Sequence, residues 1–233
     1  MAGAVDGTER DTTAGWAPAG ALLGLGWLVV GGVIGAVVRF GVPTPAELLI
    51  DVNALRGLWV AAMGLQTAQQ ILLVPFVLAL IARLRPTDTA QIVALGSLAL
   101  SAVFFAMSGI VHGVFGVHQA KDTTDIDALT ASQIDLATVT HAIADTSYFA
   151  GIVATSLATL LFSRRLAGET GTEHLVRLGY LAVVCSILQF GWFFVAALGA
   201  FGAAGGALQG LWFIGVARWL HGVGSSGGVR PLN

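Results

Sequence analysis

Charge is what this sequence has least of. Of its 233 residues only 10% are Asp, Glu, Lys or Arg, while 56% are hydrophobic and the mean hydropathy is +0.83. An ordinary soluble domain carries about 25% charged residues. A water-soluble fold this apolar would lack the polar surface to cover its core, whereas a protein dissolved in lipid needs none. The net charge is −2, without the basic surplus that a nucleic-acid partner requires. Lysine occurs once, as Lys121, and none falls in the last two apolar stretches, which argues against a retinal Schiff base. Cysteine occurs once, as Cys185, which excludes an intrachain disulfide and reads as a small buried hydrophobe. Also missing are a glycine-rich phosphate loop, a nucleophile elbow, an internal repeat and the short alternating segments of a β-barrel. No basic n-region precedes the first apolar run, so residues 1–15 read as a disordered cytoplasmic tail rather than a signal peptide. The preference for Arg over Lys suits a GC-rich prokaryotic genome.

What the chain does have is six long apolar stretches, at about 16–38, 57–82, 90–117, 136–162, 178–200 and 205–220. A helical crossing needs about 20 residues, and only the last stretch is short of that. Inside a bilayer the backbone must satisfy its own hydrogen bonds, so such stretches are helices. The expectation is an all-α, polytopic integral membrane protein. One bundle of six transmembrane helices over 16–222 is followed by a cytoplasmic tail at 223–233. Eight of the Arg and Lys residues lie at one set of span ends and three (Arg39, Arg56 and Lys121) at the other. By the positive-inside rule both termini are cytoplasmic, in the inner membrane of the cell.

The connections carry start signals. Thr44, Pro45 and Glu47 have the order of an N-cap, a first helical residue and a capping-box acid, ahead of an interfacial segment through Asp51. Thr130 and Gln133 repeat the capping box before the fourth stretch, after an acidic outer loop. Pro75 predicts a kink in the second stretch. Trp16, Trp59 and Trp219 sit near span ends, where interfacial anchors belong. Glycines four apart (Gly31 and Gly35; Gly202, Gly206 and Gly210) mark faces where helices approach, within one chain or at a contact with a second copy or a partner subunit.

The polar residues inside the spans gather toward the outer ends, leaving the inner halves almost purely apolar. The third stretch carries Ser108 and His112, the fourth His141, Asp145 and Tyr148, the second Gln66 and Gln70, and the fifth Gln189. Asp145 is the most informative of them. A carboxylate at the centre of a membrane helix costs about 2.5–3.5 kcal/mol on insertion scales, so it faces protein or water and has a partner. His141 lies one turn before it on the same face. His112 joins them if the third and fourth helices are neighbours.

Four readings stay open: a metal site of His112, His141 and Asp145; one haem between His112 and His141; a proton or substrate path; and interhelical hydrogen bonding alone. The favoured function is a non-enzymatic, outward-facing polar pocket among the second to fifth helices that binds or passes a small molecule or ion. Its candidates are His112, His141, Asp145, Gln66, Gln70, Gln189, Tyr148 and Ser108. The alternatives are a haem- or metal-bearing redox protein or subunit, and a structural subunit of a membrane complex. In layout the chain is similar to small six-span prokaryotic membrane proteins of unknown function. The likeness rests on the first span, the short outer amphipathic segment and the second span GLWVAAMGLQTAQQILLVPFVLALIARL ending at a basic turn. It implies the fold class and carries over no functional residue.

Overall fold

The computed structural model describes residues 8–37, 44–84, 88–121, 123–193 and 200–225. Among these the regular secondary structure is all helix, without strands, and four helices are long and apolar enough to cross a membrane: Arg56–Ala82, Thr89–Ala120, Ala131–Leu166 and Ala200–Gly222. The apolar part of the first helix, Pro18–Gly32, is shorter. The 1–7 and 226–233 parts of the expected tails, the turn at Gly41, Val42 and Pro43, and residues 194–199 near the end of the fifth stretch lie outside the described residues, while the 201–204 link to the sixth stretch is helical.

The first helix, α1 (Thr8–Val37), begins within the segment read as a tail. Helix propagation costs little once a turn exists, so an apolar span extends readily into the residues before it. Helix α2 (Pro45–Ala54) starts as its sequence predicts. The Glu47 carboxylate accepts the Thr44 backbone N–H at 2.6 Å, and Thr44 Oγ1 accepts the Glu47 N–H at 3.2 Å. Its face of Leu48, Leu49 and Val52 is buried against Trp59, Met63, Val117 and Ala137, so α2 lies over the ends of the neighbouring spans.

The second span is built from α3 (Arg56–Ala68) and α4 (Leu73–Leu84), joined by one 3-10 turn at Gln69–Leu72. Pro75 explains this interruption. It offers no N–H to the carbonyl of Ile71, and its ring crowds that carbonyl, so the helix tightens just before the proline.

Helix α5 (Thr89–Ile110) passes into a π-helical turn, Val111–Gly116, and then into α6 (Val117–Ala120). The longest element, α7 (Ala131–Leu166), starts at the second predicted capping box, with Thr130 N–H donating to Gln133 Oε1 at 2.9 Å. A tight turn follows, in which Gly171 takes φ 78° and the Thr172 hydroxyl donates to the carbonyls of Leu166 and Glu169. Helix α8 (Glu173–Gln189) ends in a 3-10 turn at Phe190–Phe193, and α9 (Ala200–Ser225) closes the described chain. Helix α9 thus begins before and ends beyond the short sixth stretch expected from sequence.

Helices α5 and α7 are neighbours, as are α8 and α9, and α1 packs along α9. The α1–α9 crossing is made at Gly24 and Gly210. A Cβ on Gly24 would collide with the Gly210 carbonyl, and one on Gly210 would lie 2.7 Å from the Gly24 carbonyl. Of the glycines expected to mark contacts, Gly202 faces Gln189, while Gly31 and Gly206 have no atom within 4 Å of where a Cβ would stand. The main core joins Leu23, Phe76, Leu98, Phe162, Trp212 and Phe213. Large apolar side chains such as Ile71, Val103, Val114 and Ile187 point outward and are more than half exposed, the pattern of helices whose solvent is lipid.

Candidate functional site

Three of the expected residues meet. His112 Nε2 stands 3.5 Å from Asp145 Oδ1, and His141 Nε2 stands 3.1 Å from Asp145 Oδ2. The two imidazole centroids are 5.5 Å apart, with the rings inclined at 69°. One ligand-type atom from each of the three residues falls within 4.8 Å of the others. His141 and Asp145 share a face of α7 because they are four residues apart. His112 arrives from the adjacent α5 segment, inside the π-helical turn.

That turn follows from local sequence and packing. Gly113 and Gly116 lower the cost of leaving α geometry, and a Cβ at Gly113 would stand 2.9 Å from the Met63 Cβ, so the turn can approach α3 only as glycine. A π turn shifts the register of backbone hydrogen bonding. Here the carbonyl of His112 accepts the Trp59 indole N–H at 3.2 Å, and the two rings meet edge-on at 5.8 Å. Trp59 is therefore a buried support for His112 rather than the interfacial anchor expected from its place near a span end.

Beside the cluster lies an open, groove-like cavity of about 500 Å³, walled by Pro45, Ala142, Phe149 and Phe190, with Thr138, Thr146, His141 and Asp145 completing the lining. It lies among α2, α7 and the turn after α8, and its walls are mostly apolar, with the imidazole and carboxylate at one place on them.

The other candidates are elsewhere. Gln66 is buried and donates to the Phe105 carbonyl at 3.1 Å, tying the second span to the third. Gln70 donates to the carbonyl of Gln66 in its own helix. Ser108 is buried one turn before His112 and does not line the cavity. Tyr148 packs edge-on against Phe105 and Phe149. With Gln189 it lines a second, much smaller cleft of about 10 Å³ that also includes Trp27, Thr155 and Gln209.

The far half of the bundle is less apolar than its sequence suggests. Thr155, Thr159 and Ser163 continue the His141–Asp145–Tyr148 face of α7 to the other end and are all buried. Thr159 Oγ1 donates to Gln209 Oε1 at 3.1 Å, an α7–α9 tie not foreseen from sequence. A spacing of three, four or seven residues along α7 was the signal that could have shown this seam, but isolated Thr and Ser are ordinary in membrane helices.

His112, His141 and Asp145 are the residues that could hold a metal among those described. A haem between the two histidines does not fit. The Asp145 carboxylate stands against both rings, leaving no slot between them for a macrocycle. No family model, curated protein or solved structure matches this chain.

Proposed function

We propose that this chain is a six-span protein of the cytoplasmic membrane, with both termini inside, that binds a small, largely apolar molecule in the cavity beside Asp145. The molecule offers one polar head to His141 and Asp145 and lays its apolar body along Ala142, Phe149 and Phe190. In this reading α1 and α8 complete the set of six spans, and the positive-inside count gives the orientation. The role is binding or passage rather than catalysis.

The observation that carries the reading is the cavity itself. At about 500 Å³ it falls within the roughly 300–1,000 Å³ typical of small-molecule sites, and it has their usual composition of apolar walls with few polar groups. An amphiphile reaching it from the bilayer keeps its chain in an apolar medium throughout and needs to desolvate only its head.

The test is photolabelling in lipid nanodiscs with a fatty acid that carries a diazirine near the end of its chain. Labelling is expected on peptides containing Ala142, Phe149 or Phe190, and Ala142→Phe, which fills the cavity, should abolish it. Labels spread over the lipid-facing positions Val103, Val114 and Ile187, unchanged by Ala142→Phe, would sink the reading. A reporter fused after Asn233 tests the orientation, and an external signal would overturn it.

A further inference from the structure

We propose that His112, His141 and Asp145 form a binding site for a divalent transition-metal ion of the zinc class, with an open coordination position turned toward the cavity. This deepens the cavity reading, and rests on it for the role of the open position, by naming what would hold the polar head of the cavity's ligand.

The distances support coordination. Zinc bonds of about 2.0–2.1 Å at tetrahedral angles hold neighbouring ligand atoms about 3.3–3.4 Å apart. The two imidazole-to-carboxylate separations, 3.1 and 3.5 Å, bracket that value. They run to different carboxylate oxygens, but the terminal torsion of an aspartate is soft, and a turn about it lets one oxygen face both nitrogens. A purely hydrogen-bonded cluster explains less, because 3.5 Å is long for an N–H···O bond, which centres near 2.9–3.0 Å.

The backbone adds a second, independent observation. His112 is delivered by a π-helical turn, a rare geometry found disproportionately at functional sites. Interhelical glue needs no such device, since any long polar side chain on a regular α5 could reach α7. The buried Trp59 indole then fixes the carbonyl of the same residue. His141 turns Nε2 toward Asp145, so the same nitrogen would face a cation held between them.

The ligand chemistry selects the ion. Two imidazoles and one carboxylate suit zinc, cobalt or iron(II), whereas calcium and magnesium prefer sites built of oxygen. Three protein ligands leave a position open. His141 and Asp145 both line the cavity, so an oxygen-headed ligand lying there could complete the sphere.

The experiment uses full-length protein purified in mild detergent, stripped with chelator and reloaded. About one zinc ion per chain should be retained after desalting. Cobalt(II) should give the intense visible bands of a four- or five-coordinate site, a readout that needs no variant. His112→Ala and Asp145→Asn should each weaken zinc binding by at least about tenfold, while His174→Ala, at the opposite end of the bundle, should leave it unchanged. Excess magnesium or calcium should not displace cobalt. Zinc well below one per chain together with a cobalt spectrum like that of the free ion overturns the proposal, as does undiminished binding in Asp145→Asn. Loss of metal with cavity photolabelling intact overturns the metal site alone. Metal retained without photolabelling overturns the cavity reading alone.

Discussion

At the scale of single residues, Asp145 and Trp59 teach opposite lessons. Asp145 was legible because a carboxylate in a span is expensive and must have company, and the i, i+4 position of His141 names the first partner. Trp59 was not. A tryptophan near a span end looks like an anchor, and nothing in the one-dimensional pattern shows that its N–H will meet the carbonyl of His112 across two helices. Its replacement should be felt. Trp59→Phe keeps most of the ring and removes the donor to the His112 carbonyl. The expected loss is about 0.5–1.5 kcal/mol of stability, measured by unfolding in mixed detergent micelles. An unchanged unfolding midpoint would show that the indole N–H does not hold the π turn.

At the scale of elements, helix starts were the most legible feature. Thr44–Glu47 and Thr130–Gln133 are local signals, complete within four residues, and both capping boxes form. The π turn was hidden, because it depends on the approach of Gly113 to Met63 as well as on its own glycines. The first cap should respond to pH. Hydrogen bonds from the Thr44 backbone N–H, first, and from its hydroxyl hold the Glu47 carboxyl below its ordinary value. A depressed folded value means that the cap is fully formed above the ordinary carboxyl range and is lost as pH falls through the folded value. A spin label at Ala54 should therefore become more mobile as pH falls below the ordinary carboxyl range. Glu47→Gln, which caps without titrating, should remove that change, and a response that persists in Glu47→Gln would assign it to another group.

The α1–α9 crossing makes a further prediction at the same scale. Gly24 and Gly210 bring two backbones together, and Gly210→Leu forces them apart. Overpacking of this kind costs about 1–3 kcal/mol. The same unfolding assay should show that loss, whereas Gly206→Leu, where there is room for a side chain, should cost much less. Equal losses at the two positions would mean that the crossing lies elsewhere.

At the scale of the whole molecule, hydropathy was enough to give an all-helical chain with helices long and apolar enough to cross a membrane, because apolar length is additive along the sequence. Lateral arrangement was not, since helix order and rotation depend on pairwise fit that no single span encodes. Gln66 shows the difference. Its depth in the second span was readable, but its attachment to Phe105 rather than to the cavity depends on how α3 turns toward α5. The polar seam of α7, from His141 to Ser163, is likewise a property of the assembled bundle, with Gln209 of α9 supplying the partner for Thr159. The central claim at this scale is that α5 and α7 lie side by side so that His112 and Asp145 interact inside the bundle. A double-mutant cycle between His112→Ala and Asp145→Ala, measured by unfolding of metal-stripped protein in bicelles, tests it most directly. Neighbouring polar groups in membrane helices couple by about 0.6 kcal/mol on average and up to about 1.7 kcal/mol, and a coupling in that range is the predicted result. Strict additivity of the two substitutions would contradict it.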